Sequence, residues 1–208
     1  MVSKIFDIFR QYFRKRRYQQ IKSLVNIDSV NGFILDLGSG PMSFFAAKFP
    51  RSKQVILLEI NHNEAYSAKR KQPDLFVVIA DGKKMPFRDN SIEMTISNSV
   101  IEHVNNPDKL AAEIKRTSRN YFIQTPSADF PLETHSFIPI PFFNLFDREK
   151  LQRFLCNMFG ANFEYVRSVR YLSEQQLKKF FPDAFFTYER FFGLKKSFYI
   201  YHSNKELK

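Results

Sequence analysis

The sequence predicts a doubly wound α/β sheet whose strands are mostly parallel and whose last two strands form an antiparallel hairpin. Short apolar runs, of the kind that form buried parallel strands, alternate with helical segments roughly every 20–25 residues. The first run ends in the turn Gly38-Ser39-Gly40-Pro41, from which a helix follows. Two β-rich segments flank Gly193 near the end of the chain, and they predict the hairpin.

Strands are predicted where apolar, β-branched or aromatic runs are bounded by turn residues. The first run follows the turn signal Asn31-Gly32, and the second contains Val55-Ile56-Leu57-Leu58. In chain order the predicted strands are 33–37, 54–59, 75–80, 92–97, 121–124, 184–192 and 196–202.

Helices are predicted from apolar spacing and from capping residues. Pro107 suits the first turn of a helix, Asp147 is a predicted N-cap, and Ser173 forms a predicted capping box with Gln176. Residues 126–146 contain four prolines among aromatic residues, which predicts an irregular loop or lid. The predicted helices are 1–22, 42–49, 62–71, 107–118, 147–159 and 173–181.

Composition excludes several classes of protein. The 208 residues fit one domain, and a hydrophobic content of 44% supports a core and excludes wholesale disorder. The single cysteine, Cys156, excludes a disulfide scaffold and suits a reducing compartment. No apolar run approaches the ~18 residues that span a bilayer, and the N-terminus lacks the pattern of a secretory signal. These features predict a cytoplasmic protein.

Acidic and glycine residues follow the predicted strands at ligand-binding positions. Glu59 ends the second strand, where a carboxylate can accept hydrogen bonds from ribose hydroxyls. Asp81 ends the third strand, where a carboxylate can accept from an adenine amino group. A dinucleotide fingerprint is excluded, because Ser43 occupies the position of its third glycine.

Together these motifs resemble the class I S-adenosylmethionine-dependent methyltransferases, in particular the type 11 branch. The resemblance rests on Ile34 to Gly40, on Glu59, on Asp81 to Ser91 and on Asn98 to Val104, in the right order and spacing. It implies S-adenosylmethionine as cofactor and a Rossmann-like sheet of seven strands with a reversed C-terminal hairpin. The Pro-rich segment that ends in Glu133-Thr134-His135 is similar to a bacterial and archaeal subgroup of that branch.

The resemblance also implies a role for each matching residue. Gly38 and Gly40 would let the methionine moiety approach the backbone, and Asp36 would orient the turn and the amino group. Glu59 would hold the ribose hydroxyls and Asp81 the adenine amine. The implied cofactor-binding set is Asp36, Gly38, Ser39, Gly40, Glu59, Ile60, Asp81, Gly82, Asn98 and Ser99, with Asn98 meeting the methionine amino group through its backbone.

We predict a single domain, 1–208, with four parts. These are an N-terminal amphipathic basic helix (1–30), a cofactor-binding half (31–125), a lid or insertion for substrate (126–172), and a C-terminal helix and hairpin (173–208). Where the family often has a third glycine, this chain has Met42, which we expect to line the pocket.

A hydroxyl acceptor needs a general base, and histidine is the usual one near neutral pH. We predict His135 as that base, with the neighbouring carboxylate of Glu133 to orient it, and His103 as the alternative. A packing role for either histidine stays open. Glu133 and His135 are too few ligands for a metal, so no metal site is predicted.

The predicted function is methyl transfer to a small-molecule, glycan or lipid-linked acceptor. The net charge of +11 keeps RNA open as an alternative acceptor, although no separate RNA-binding module is visible. A second alternative is a non-catalytic subunit with a methyltransferase fold. Glu59 and Asp81 argue against it, because a fold without a cofactor would not need both carboxylates at the strand ends.

The first helix leaves two interpretations open. Its apolar face could pack on the rest of the fold, or residues 1–17 could lie on an anionic membrane as peripheral contact at the inner face. The apolar face consists of Ile5, Phe6, Ile8, Phe9, Tyr12 and Phe13, and the adjacent cations are Arg10, Arg14, Lys15, Arg16 and Arg17.

Overall fold

The computed structural model describes residues 2–25, 27–48, 54–131, 149–158 and 161–203, with the backbone alone for 2–12, 14 and 28. The helices are α1 (Val2–Val25), α2 (Phe44–Lys48), α3 (His62–Lys71), α4 (Pro107–Thr117), α5 (Glu149–Met158), α6 (Phe163–Ser168) and α7 (Glu174–Phe180). The strands are β1 (Ile34–Leu37), β2 (Val55–Glu59), β3 (Phe76–Ile79), β4 (Ile92–Asn98), β5 (Ser118–Pro126), β6 (Phe185–Phe191) and β7 (Leu194–His202).

The seven strands form one sheet in the order β3-β2-β1-β4-β5-β7-β6. β1 to β5 are parallel, whereas β7 runs antiparallel to both β5 and β6. The order reverses direction at β1, because β2 lies on one side of it and β4 on the other. This arrangement confirms the predicted doubly wound sheet with its C-terminal hairpin.

Successive strand residues face opposite layers of helix. One core contains buried residues of α1, α2 and α3 with alternate strand residues such as Ile34 and Ile96. The other contains α4 and α7 with the intervening residues such as Leu35 and Ile123. Apolar side chains on both faces explain why these strands are nearly continuous hydrophobic runs in the sequence.

The largest differences from the prediction concern two elements. β5 extends beyond 121–124 at both ends, because Ser118 and Asn120 pair with β4 and because Thr125 and Pro126 pair with β7. The short helix α6 was not predicted. It begins at the N-cap Asn162, whose side chain accepts from the backbone N–H of Tyr165, and it is too short for a periodic pattern.

One of the predicted caps is confirmed, whereas another lies outside the described residues. The capping box of Ser173 and Gln176 is present at the start of α7. The predicted N-cap Asp147 and most of the predicted lid, 132–146, lie outside the described residues.

The second half of α1 packs on the sheet. Phe13, Ile21 and Val25 are buried, and the Phe13 ring meets that of Phe191 edge to face with centroids 5.5 Å apart. Of the predicted apolar face, Phe13 is the residue whose side chain is described, and it follows the packing interpretation. Across the described part of the chain, no helix combines the length and hydropathy needed to cross a membrane.

Candidate functional site

The carboxyl ends of β1 and β4 are neighbours at the point where the strand order reverses. Leu37 lies opposite Ser97 in the parallel register, so the turn after β1 and the turn after β4 stand side by side. In open α/β sheets, ligands bind in the crevice at this switch point. The predicted site residues at Gly38–Gly40 and at Asn98–Ser99 therefore share one edge of the fold.

The turn after β1 requires glycine at two positions. Gly38 has φ of +66° and Gly40 has φ of +69°, values that L side chains rarely adopt. A Cβ on Gly38 would lie 2.9 Å from a methyl carbon of Val100, so the two turns approach each other too closely for a side chain. The backbone conformation therefore selects glycine at both positions, and at Gly38 the close approach of Val100 does so as well.

Asp36 is a buried carboxyl that holds the turn together. It accepts hydrogen bonds from the hydroxyls of Ser39 and Ser43, and Ser43 in turn caps α2 by accepting from the Ala46 N–H. Burial raises the pKa of Asp36 to about 6, and the nearby carboxylate of Glu59 adds to the increase, while the two serine hydroxyls oppose it. Asp36 therefore holds the turn through the two serines, and its predicted contact with the methionine amino group stays a prediction.

Glu59 links the end of β2 to the glycine turn. Its Oε2 accepts from the Gly40 N–H at 3.1 Å, and its Oε1 accepts from the Asn61 N–H at 3.0 Å. The residue is almost completely buried. Each carboxylate oxygen has two acceptor lone pairs, so both oxygens keep capacity for a ligand hydroxyl.

The loop after β3 carries Asp81 and Gly82. Asp81 accepts from the Lys83 N–H at 2.9 Å and keeps a partly exposed carboxylate. A Cβ on Gly82 would lie 2.8 Å from a methyl carbon of Leu110, so close packing requires the glycine. Ile60, directly after Glu59, is 63% exposed and offers an apolar surface beside these carboxylates.

The turn after β4 is fixed by two neighbours. Ser99 has φ of +57°, and its hydroxyl donates to Gln124 Oε1 at 2.7 Å on β5. The side chain of Asn98 accepts from Arg17 Nη1 of α1 at 2.7 Å. α1 therefore reaches the strand end at which the methionine moiety was predicted.

Arg17 also contacts a buried polar cluster, which we call the β6–β7 cluster and define by Arg17, Glu189, Lys196 and Tyr199. Glu189 Oε2 lies 2.9 Å from Lys196 Nζ and 3.5 Å from Arg17 Nη2. Burial lowers the pKa of Lys196 to about 8, an effect that Glu189 opposes. Burial also disfavours the charge of Glu189, yet the two cations hold its pKa below the usual range.

His103 follows β4 in a short 3-10 turn. Its Nδ1 lies 2.7 Å from Ser168 Oγ, and its ring stacks on Tyr165 with centroids 4.6 Å apart. The Ser168 hydroxyl donates to the Tyr165 carbonyl, so in a neutral ring Nδ1 is the donor to Ser168 and Nε2 is the basic nitrogen. The other two predicted catalytic residues, Glu133 and His135, lie outside the described residues.

Metal ligands do not gather anywhere in the described part of the chain, where no three His, Cys, Asp or Glu side chains come together. The site there is built from carboxylates, backbone and hydroxyls.

Known proteins are similar to this chain in its fold and, more closely, in the sequence of its central segment. The family model for a methyltransferase domain, type 11, matches residues 35–121. Residues 35–121, less than half of the chain, are therefore similar to type 11 methyltransferase domains. They contain most of β1, all of β2 to β4 and all ten predicted cofactor-binding residues.

Two curated relatives that are similar to part of this chain are named methyltransferases. An uncharacterized methyltransferase of Mycobacterium sp. (strain JLS) is 36% identical over 87 residues, which are 41% of this chain and 34% of that protein. The Mycobacterium tuberculosis (strain H37Ra) relative is 33% identical over 89 residues, 41% of this chain and 35% of its own length. The chain thus spans about a third of the length of the curated relatives it matches.

Two solved structures share the fold across most of the chain. A Thermotoga maritima methyltransferase, described as a possible histamine N-methyltransferase, aligns over 95% of both chains with a TM-score of 0.56 and 14% identity. A Haemonchus contortus phosphoethanolamine N-methyltransferase in complex with S-adenosyl-L-methionine aligns over 82% of this chain and 38% of its own, with a TM-score of 0.54 and 17% identity.

Sequence reasoning missed the β6–β7 cluster and the contact of Arg17 with Asn98. Arg17 is the last of four consecutive basic residues, so the sequence does not distinguish it from its exposed neighbours Lys15 and Arg16. The positions of Glu189 and Lys196 in predicted strands were a weak signal of a buried ion pair, because charged residues are rare at the inward positions of a strand.

Proposed function

We propose that this protein transfers a methyl group from S-adenosylmethionine to a small-molecule, glycan or lipid-linked acceptor. One observation carries the proposal. Two carboxylates, Glu59 and Asp81, follow adjacent parallel strands beside the turn of Gly38 and Gly40, at the reversal of the strand order. That set of acceptors suits the hydroxyl and amine donors of an adenosyl group.

The residues present fit this cofactor. Glu59 and Asp81 supply acceptors for the ribose hydroxyls and the adenine amine, and the exposed Ile60 supplies an apolar surface for the base. Asn98 and the glycine turn would hold the methionine end. The chemistry that the cofactor supplies when bound is an electrophilic methyl carbon on a sulfonium. The similar fold of the Haemonchus protein, solved with S-adenosyl-L-methionine, supports the assignment.

The protein's own residues would position the acceptor and remove its proton. Methyl transfer of this kind requires mainly in-line alignment of the attacking atom. We retain His135 as the proposed base and Glu133 as its orienting carboxylate. His103 is the alternative, and its hydrogen bond to Ser168 leaves Nε2, which is buried, as the nitrogen that would take the proton.

The proposal keeps the four-part division of the chain. Residues 31–125 would bind the cofactor, 126–172 would cover the acceptor, 173–208 would complete the sheet, and 1–30 would brace the site through α1. The contact of Arg17 with Asn98 supports this last role, because it joins α1 to the turn after β4.

Two measurements on the full chain test the proposal. Isothermal calorimetry should detect binding of S-adenosylhomocysteine, and failure to bind it would refute the cofactor assignment. Incubation of a fractionated cell extract with S-adenosylmethionine labelled on the methyl group should label a metabolite, glycan or lipid fraction. Label in RNA, with a steep loss of activity as salt rises, would instead support the RNA alternative.

A further inference from the structure

The turn between β6 and β7 has an unfavourable residue at its tip. Phe191 pairs with Leu194, so Phe192 and Gly193 form a two-residue loop. Their φ angles are +47° and +79°, and positive values at both positions are characteristic of a type I′ turn. Such turns favour Asn-Gly, because an L side chain other than Asn or Asp is strained in the left-handed region. Phe192 therefore opposes the local backbone conformation.

The fold gains little packing from that side chain. Phe192 is 90% exposed, and Leu194 on the other side of Gly193 is 48% exposed. The rings of Phe191 and Phe192 pack edge to face with centroids 4.5 Å apart, but most of the Phe192 surface faces solvent. An exposed, strained aromatic residue at the tip of a hairpin points to a use outside the fold.

Positive charge surrounds this apolar tip. Exposed Arg190 donates to the Gly193 carbonyl at 3.0 Å, which holds its guanidinium beside the turn. The neighbouring Lys195 pairs with Glu174, and Lys196 is buried against Glu189, so Arg190 is the cation of this hairpin that the tip presents. α1 lies at the same corner, because Phe13 contacts Phe191, and it carries exposed Lys15 and Arg16.

We propose that the β6–β7 turn, with Phe192 and Leu194 at its apex and with Arg190, Lys15 and Arg16 around it, docks on an anionic lipid surface. Apolar residues at the apex would enter the headgroup region, and the surrounding cations would bind anionic headgroups. A bilayer suits this arrangement, because its anionic headgroups complement the cations and its apolar interior lies beyond them, where the apolar apex would reach. This inference concerns a surface apart from the cofactor site, so it stands or falls independently of methyl transfer.

The experiment compares three versions of the full chain in sedimentation with vesicles. The vesicles are equimolar phosphatidylglycerol and phosphatidylcholine, or phosphatidylcholine alone, at low and high salt. Phe192→Asn removes the apolar tip and supplies the residue that a type I′ turn prefers. Phe185→Asn is the matched control, because Phe185 is 61% exposed at the opposite end of β6, roughly 20 Å away at the strand rise of ~3.3 Å per residue.

The wild-type chain should sediment with the anionic vesicles at low salt and much less at high salt or with phosphatidylcholine alone. Phe192→Asn should weaken the partition coefficient about tenfold or more, while Phe185→Asn should change it less than about twofold. Relief of strain should meanwhile raise the melting temperature of Phe192→Asn by about 2–4 °C, so loss of binding cannot be attributed to unfolding.

Four results would overturn the inference. Three are a wild-type chain that stays in solution with anionic vesicles, equal losses for the two variants, and binding by Phe192→Asn as tight as wild type. The fourth is equal binding to vesicles with and without anionic lipid, which would remove the proposed role of the cations.

Discussion

Replacement of Glu59 by alanine tests the centre of the proposed cofactor site. The substitution removes two acceptors at once, those for the Gly40 N–H at 3.1 Å and the Asn61 N–H at 3.0 Å. Hydrogen bonds to a charged group contribute about 1.5–3 kcal/mol each, and the bond to the partly exposed Asn61 N–H contributes less. We therefore expect the free energy of unfolding to fall by about 2–4 kcal/mol without any ligand.

Loss of the ribose acceptors should add a separate effect on binding. Calorimetry should show S-adenosylhomocysteine bound about 5- to 150-fold more weakly, which corresponds to about 1–3 kcal/mol. Because a loosened turn could weaken binding by itself, a control is needed that loosens the same region and spares Glu59. Gln72→Ala provides it, since the Gln72 side chain bonds both the N–H and the carbonyl of Ser43 at the start of α2.

The two variants should separate the two roles. Gln72→Ala should lower the free energy of unfolding by about 1–2 kcal/mol, yet its affinity for S-adenosylhomocysteine should stay within about threefold of wild type. If Glu59→Ala and Gln72→Ala weaken binding equally, Glu59 acts only by holding the glycine turn. If Glu59→Ala binds as well as wild type, the ribose assignment is wrong.

Three further predictions concern other parts of the site. The pKa of Asp36 is raised from 3.8 to about 6, so the folded state binds this proton more tightly than the unfolded chain does. As the pH rises from about 4 to above 6, wild type should therefore lose up to about 3 kcal/mol of stability relative to Asp36→Asn. Parallel pH profiles of the two proteins in urea unfolding would contradict this. Arg17→Gln removes a partner of the buried Glu189 and of the half-buried Asn98, so it should lower the free energy of unfolding by about 2–4 kcal/mol. Arg16→Gln, one residue away and exposed, should change it by less than about 0.5 kcal/mol, and similar melting curves for the two variants would remove the bridging role. His135→Ala should lower turnover roughly 10²- to 10⁴-fold with affinity for S-adenosylhomocysteine within about twofold, and unchanged turnover would transfer the role of base to His103.

The sequence by itself determined the class of fold and most of its elements. Buried parallel strands are nearly continuous apolar runs, and the helices between them begin at recognisable caps, so both are local signals. The predicted helix 62–71 coincides with α3, and the capping box of Ser173 and Gln176 is formed. The motif from Ile34 to Gly40 is likewise a local signal, because positive φ angles at two turn positions select glycine there.

Only the tertiary structure decided what lies opposite those motifs. The contact of Arg17 with Asn98 joins residues 81 positions apart. Nothing in the sequence indicates which cation of the basic run in α1 makes such a contact. The β6–β7 cluster depends on strand register, which places Glu189 opposite Ser197 and beside Lys196. The exposure and positive φ of Phe192 follow from a pairing that leaves a loop of two residues. Such features arise from the register of distant segments, which local propensity does not encode.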